Sequence, residues 1–233
     1  MILGENGEKM SKSRGNVINP DVIVLEYGAD TLRVYEMFLG PLEKTKPWSM
    51  NGVKGVYNFI SKAYRFFANT ENHTLEKENE DTLKLLHKTI QKVTSDIEEF
   101  KFNTAISAMM IFTNHCTKKK AVTKNTAEKL AQILSPFAPH VGEEIWNVCG
   151  NKKSLTDEDW PIFDESLIKD DSITMAIQIN GKTRGTLEVS VNISKEDFLD
   201  QAKALQSLQK YLDGKSIIKE IYIPGKICNL VVK

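Results

Sequence analysis

A chain of 233 residues, 41% hydrophobic and 27% charged, has room for one large or two to three small soluble domains, each with a core of its own. Its 31 basic and 31 acidic side chains cancel, so the molecule as a whole does not advertise nucleic-acid binding. No apolar run reaches bilayer length and no signal peptide stands at the start, while the three cysteines (116, 149 and 228) form no C-x-x-C pair; membrane-spanning, disulfide-framework and zinc-site readings fall away, and a cytoplasmic protein is expected.

Residues 7–17 come first, Gly-Glu-Lys-Met-Ser-Lys-Ser-Arg-Gly-Asn-Val. Lys9 and Lys12 alternate with the hydroxyls of Ser11 and Ser13, and Gly15 follows. So much Ser, Gly and Asn reads as a mobile surface loop, and two ammonium groups beside hydroxyl and backbone donors form a grip for phosphate. An arbitrary K-x-x-K is more often a plain solvated turn. Asn19-Pro20-Asp21 then starts a short helix carrying Val22, Val24 and Leu25, and Gly28 ends it. Asp30 is placed to cap a second helix, with Leu32, Tyr35, Met37, Phe38 and Leu39 inward and Arg33 paired with Glu36 outside. Gly40-Pro41 stops it, and Trp48 in the connector reads as a packing residue.

From residue 50 the apolar period is helical. Val53, Val56, Ile60, Ala63, Tyr64 and Phe67 form one stripe, Leu83, Leu86, Ile90, Val93 and Ile97 the next, and Ile106, Met109, Met110 and Phe112 a third. Lys118–Lys120 closes that third helix, where cations are favoured. Between Thr123 and Gly150 the prolines at 136 and 139 divide two further helical segments. The result is an antiparallel helix bundle.

Residues 151–171 hold seven acids against three lysines and read as an acidic linker around Trp160-Pro161. Residues 172–233 reverse the balance, with nine Lys or Arg against six acids. Ile173, Met175, Ile177 and Ile179, then Leu187, Val189 and Val191, alternate as strands. A two-residue Asn180-Gly181 turn would pair Ile177 with Arg184 and mix the faces. The parity therefore predicts a three-residue loop, Ile179–Gly181, that pairs Gln178 with Lys182, Ile173 with Leu187, and sets Gln178, Lys182 and Arg184 on one polar face. One helix opened by Ser194 follows, burying Phe198, Ala202, Leu205, Leu208 and Leu212, and strands 217–223 and 226–232 close a ββαββ two-layer domain.

Three stretches carry a family resemblance. Lys9-Met10-Ser11-Lys12-Ser13 resembles the second signature loop of class I aminoacyl-tRNA synthetases, and its continuation through Tyr27-Gly28-Ala29-Asp30 to Tyr35-Glu36-Met37-Phe38-Leu39-Gly40-Pro41 and Trp48 resembles leucyl-tRNA synthetases of bacterial and organellar type. Leu134-Ser135-Pro136-Phe137-Ala138-Pro139-His140 with Glu143-Glu144-Ile145-Trp146 is similar to the anticodon-binding helical domain of the leucyl, valyl and isoleucyl enzymes. Gln178 to Gly185 resembles the C-terminal domain of bacterial leucyl-tRNA synthetases, which contacts the tRNA elbow.

The resemblance implies a mainly α chain in three parts. Residues 1–48 would hold the signature loop and the end of the catalytic core, residues 49–165 the anticodon-binding-like bundle, and residues 172–233 a small α+β tRNA-binding domain. It implies that Lys9 and Lys12 are catalytic, that Lys9, Met10, Ser11, Lys12 and Ser13 bind the ATP phosphates, and that Lys182 and Arg184 contact RNA. Mg²⁺ would arrive with the ATP, with no protein metal site. The partners implied are tRNA(Leu), ATP and leucine, the last held by an N-terminal half that this chain lacks; the full enzyme is expected to be a monomer and this chain alone inactive. Two alternatives fit the same residues: a stand-alone RNA-binding module without catalysis, and a valyl or isoleucyl relative. None of the histidines at 73, 87, 115 and 140 sits in a nucleotide-binding signature, and His73 and His140 read as satisfied surface or core side chains.

Overall fold

The computed structural model describes residues 1–41, 43–169 and 172–233, which divide into two compact units, residues 1–168 and 169–233. In the first unit β1 (Ile2–Leu3) leads into the signature loop, then α1 (Pro20–Tyr27) and α2 (Ala29–Phe38). Asn19 caps α1 by accepting from Asp21 N, with Pro20 at the first helical position. Of the apolar residues on α1, Ile23 is the buried one; Val22, Val24 and Leu25 face outward. β2 (Lys46–Pro47) pairs in parallel with β1 and brings the chain to Trp48, which packs edge-on against Tyr35 at 4.8 Å and is buried, as a packing residue should be.

Four long helices follow: α3 (Met50–Phe67), α4 (Glu80–Glu98), α5 (Phe102–Lys119) and α6 (Lys124–Leu134), then the shorter α7 (Pro139–Val148). The predicted stripes are the faces they bury: Val53, Val56, Ile60 and Phe67 on α3, Leu86, Ile90 and Val93 on α4, Ile106, Met109 and Phe112 on α5. Tyr64 is the exception and stays exposed. Tyr35, Val34 and Trp48 belong to the same continuous core as the bundle, so residues 1–48 are packed onto the helices and not merely tethered to them. Pro136 and Pro139 separate α6 from α7, and the two helices approach so closely that a Cβ on Gly142 would lie 3.0 Å from Ser135 Cα.

Several local expectations change. Asp30 does not cap its own helix: it is buried, and its carboxylate accepts from His140 N, His140 Nδ1 and Val141 N at the start of α7. Arg33 does not serve Glu36 but donates to the Pro136 carbonyl at 3.1 Å. Both side chains answer the unpaired backbone groups of a neighbouring element, a stronger demand than an exposed i,i+3 pair. The acidic segment after α7 is docked on the bundle where described. Leu155 is buried, Trp160 Nε1 donates to Thr94 Oγ1 at 2.8 Å, and Asp164 N, just before α8 (Glu165–Ile168), donates to His87 Nδ1 at 2.9 Å. Residues 170 and 171 of the expected linker lie outside the described residues.

The second unit comprises β3 (Ser172–Ile179), β4 (Lys182–Ser190), α9 (Lys195–Ala204), α10 (Gln206–Leu212), β5 (Ile217–Ile223) and β6 (Ile227–Val232). Its sheet order is β4-β3-β6-β5, with β3 and β6 parallel at the centre. The single predicted helix is two, broken where Leu205 turns to φ −66°, ψ 120°. The hairpin also differs from the parity argument. Asn180 and Gly181 take φ values of 50° and 78° in a two-residue turn, Ile179 pairs with Lys182, and the faces are restored by a bulge that leaves Arg184 extra between Thr183 and Gly185. Asn180 is fixed there by its side chain, which accepts from Val232 N and donates to Val232 O at 2.9 and 3.1 Å.

Candidate functional site

The signature loop is ordered by short local contacts. Lys12–Arg14 form one tight helical turn that Gly15 ends in the left-handed region, φ 65°, where a side chain would be strained. Asn16 staples the loop across its neck: its Oδ1 accepts from Ser11 N at 2.9 Å and its Nδ2 donates to Lys9 O at 3.3 Å. Ser11 and Ser13 hydroxyls meet at 3.1 Å. Met10 turns the other way and packs on the core beside Ile18 and Trp48, so it anchors the loop from beneath.

The charges are sorted as well. Arg14 is paired with Glu8 at 3.3 Å. Lys9 and Lys12 are exposed, and among the described residues neither has an acidic partner. Two ammonium groups on a stapled turn beside two hydroxyls are what a polyphosphate needs, and the donor set is cationic and hydroxylic, suited to phosphate oxygens more than to a bare metal ion. Asn16 is the residue that the sequence alone does not single out. Its position after Gly15 is visible there, but nothing local says that its amide reaches back to residues 9 and 11.

In the second unit the polar face is not the one expected. Gln178 lies opposite Thr183, whereas Arg184 turns to the helix side and lies over the Tyr211 ring at 4.4 Å, its Nη1 donating to the Tyr211 hydroxyl at 3.3 Å. Lys210 Nζ lies 5.0 Å from the same ring centre. Lys182 is exposed at the turn. The structure thus joins Arg184 to Tyr211 and Lys210, two residues absent from the sequence-based set, in a cation and aromatic cluster.

The histidines are satisfied by protein groups: His73 with Phe67 O, His87 with Asp164 N, His115 with Thr82 Oγ1 and His140 with Asp30. Burial pushes the Cys149 thiol up to about 11 and raises those of Cys116 and Cys228, so none is a ready nucleophile. No helix among the described residues is long and apolar enough to cross a membrane.

Comparison with known proteins agrees with this geometry. Residues 1–48 match the model of tRNA synthetases class I (I, L, M and V), and residues 79–199 match the anticodon-binding domain of tRNA ligase. The whole chain is 49% identical over 237 residues to a leucine–tRNA ligase of Chlorobaculum parvum, of which it covers 29%. It is 48% identical over 238 residues to that of Chloroherpeton thalassium, of which it covers 30%. A LeuRS from Agrobacterium radiobacter K84, solved as a ternary complex with tRNA and LeuAMS, superposes with a TM-score of 0.81 at 32% identity, over all of this chain and 33% of that one. The chain therefore spans about three tenths of the length of its curated relatives. With the loop, the bundle and the closing domain all accounted for, it belongs to the class I tRNA ligase family, similar along its whole length to the leucine–tRNA ligases.

Proposed function

We propose that this chain acts as the C-terminal part of a leucine–tRNA ligase, in which leucine, ATP and tRNA(Leu) give leucyl-tRNA, AMP and pyrophosphate. Leucine attack on the α-phosphate expels pyrophosphate, and negative charge grows on the leaving group. Cations that tighten there in the transition state lower the barrier. Lys12 is the main such contact and Lys9 the second. Ser11 and Ser13 donate hydrogen bonds, and Met10, Gly15 and Asn16 hold the turn in place. Mg²⁺ enters with the ATP, bound to its phosphates and not to a dedicated protein site. The bundle and the second unit bind the tRNA, with Lys182 and Arg184 on its backbone and Tyr211 and Lys210 beside them.

One observation carries this reading: the two loop lysines, without an acidic partner among the described residues, stand on a stapled turn inside a region that matches the class I synthetase model. A binding measurement tests the RNA part. The chain should retard leucine tRNA at low salt, and Lys182→Ala with Arg184→Ala should weaken binding and flatten the dependence of log K on log salt by about 1 for each phosphate no longer neutralised. Unchanged affinity and unchanged salt slope in the double variant would remove these two residues from the RNA interface.

A further inference from the structure

The first turn of α7 carries more than packing requires. Asp30 is 6% exposed, and the backbone N–H groups of His140 and Val141 already engage it. It also holds the His140 ring, Nδ1 to Oδ1 at 2.7 Å, although that side chain is 76% exposed and gains little from burial. A carboxylate only accepts, so the hydrogen shared with Asp30 is on Nδ1 and the ring is held in one orientation; in the neutral form this leaves Nε2 as the acceptor. A surface imidazole locked in one tautomer and orientation is prepared for a ligand that donates.

The surroundings identify the ligand. The ring borders a hollow of about 600 Å³ that also includes Glu143, Asn147, Lys152 and Lys153. The loop bearing the lysines is tied down on both sides. Trp146 Nε1 donates to Lys153 O at 3.0 Å, Asn151 Nδ2 donates to Glu128 Oε1 at 3.0 Å, and Ser154 Oγ and Leu155 N donate to Glu143 Oε1. Among the described residues Lys152 and Lys153 have no acidic partner in an ion pair, while the Glu143 carboxylate is occupied. Glu143 and Glu144 both border the hollow and balance the charge of the two lysines, so it is not a general anion trap. An oriented acceptor beside two exposed lysines on a tied-down loop fits one ribose and its flanking phosphates. A ribose 2′-hydroxyl donates, and DNA has none.

We propose that His140 contacts a ribose 2′-hydroxyl of the bound tRNA through Nε2, with Lys152 and Lys153 on the adjoining phosphates and Asp30 as the positioning residue. This rests on the tRNA-binding reading above. The test uses the full-length enzyme and leucine tRNA. His140→Asn keeps a donor where Nδ1 stands and removes Nε2; His140→Gln extends an amide toward the Nε2 position and gives up Asp30. His140→Asn should raise the tRNA Kd about tenfold at an unchanged melting temperature, and His140→Gln should bind more tightly than His140→Asn but melt lower. Asp30→Asn can donate to Nδ1, which moves the ring hydrogen to Nε2. It should give the same loss of affinity together with inverted ring ¹⁵N shifts. Wild-type affinity in His140→Asn, or a better binder in His140→Asn than in His140→Gln, overturns the contact alone. A wild-type enzyme that binds no tRNA overturns the reading beneath it too.

Discussion

Asp96 sits at 2% exposure in the α4–α5 hairpin and is held by two side chains, Lys92 Nζ at 2.6 Å and Thr104 Oγ1 at 2.7 Å, while its carbonyl accepts from Lys101 N. Asp96→Ala removes the shared acceptor, so the Lys92 ammonium loses its partner and Thr104 Oγ1 keeps only Lys101 O. It should cost about 2–3 kcal/mol in urea or thermal unfolding, and a change below about 0.5 kcal/mol would show that the network adds nothing. The Lys92–Asp96 half of this network has i,i+4 spacing that a helix would suggest, but the Thr104 half is not legible in the sequence, and neither is Asp30 with His140. Each of those two joins residues from different helices, the second across 110 positions, and local spacing carries no signal for such contacts. Lys9 and Lys12 are legible because everything that gives them meaning lies within a few residues of them.

At the scale of elements, the helical stripes can be read directly, because a 3.6-residue period with large apolar side chains admits few other burials. The hairpin cannot. Parity holds for a ladder without irregularities, but the extra residue at Arg184 shifts one strand by one position, and an Asn that tolerates positive φ makes the shorter turn available. The helix after Ser194 likewise reads as one, since the turn at Leu205 breaks no hydrophobic spacing. The docked segment before α8 yields a pH prediction. His87 Nδ1 accepts from Asp164 N, which requires a neutral ring, and burial lowers the His87 pKa below its ordinary value of 6.5. His73 is lowered for the same cause. As pH falls below 6.5 the unfolded chain takes up these protons before the folded one, so stability falls with it and is fully present above that window. The melting temperature should drop between about pH 7 and pH 5.5, with faster exchange of the Asp164 amide, and His87→Gln should reduce both effects. A melting temperature flat across that range would contradict the assignment.

The molecule as a whole is a cationic loop packed onto a helical bundle, followed by a separate small domain with its own core around Ile177, Phe198 and Leu230. Its formal net charge of zero hides the local arrangement that matters: acidic partners neutralise many cations, as Glu8 does Arg14, and leave Lys9 and Lys12 unpaired among the described residues. The central claim is that these two ammonium groups stabilise departing pyrophosphate. Leucine-dependent pyrophosphate exchange by the full-length enzyme carrying Lys12→Ala tests it most directly. The account predicts a fall of about a hundred- to a thousandfold with tRNA affinity retained, the loss expected when one donor to a developing oxyanion is removed. Exchange at the wild-type rate would contradict it.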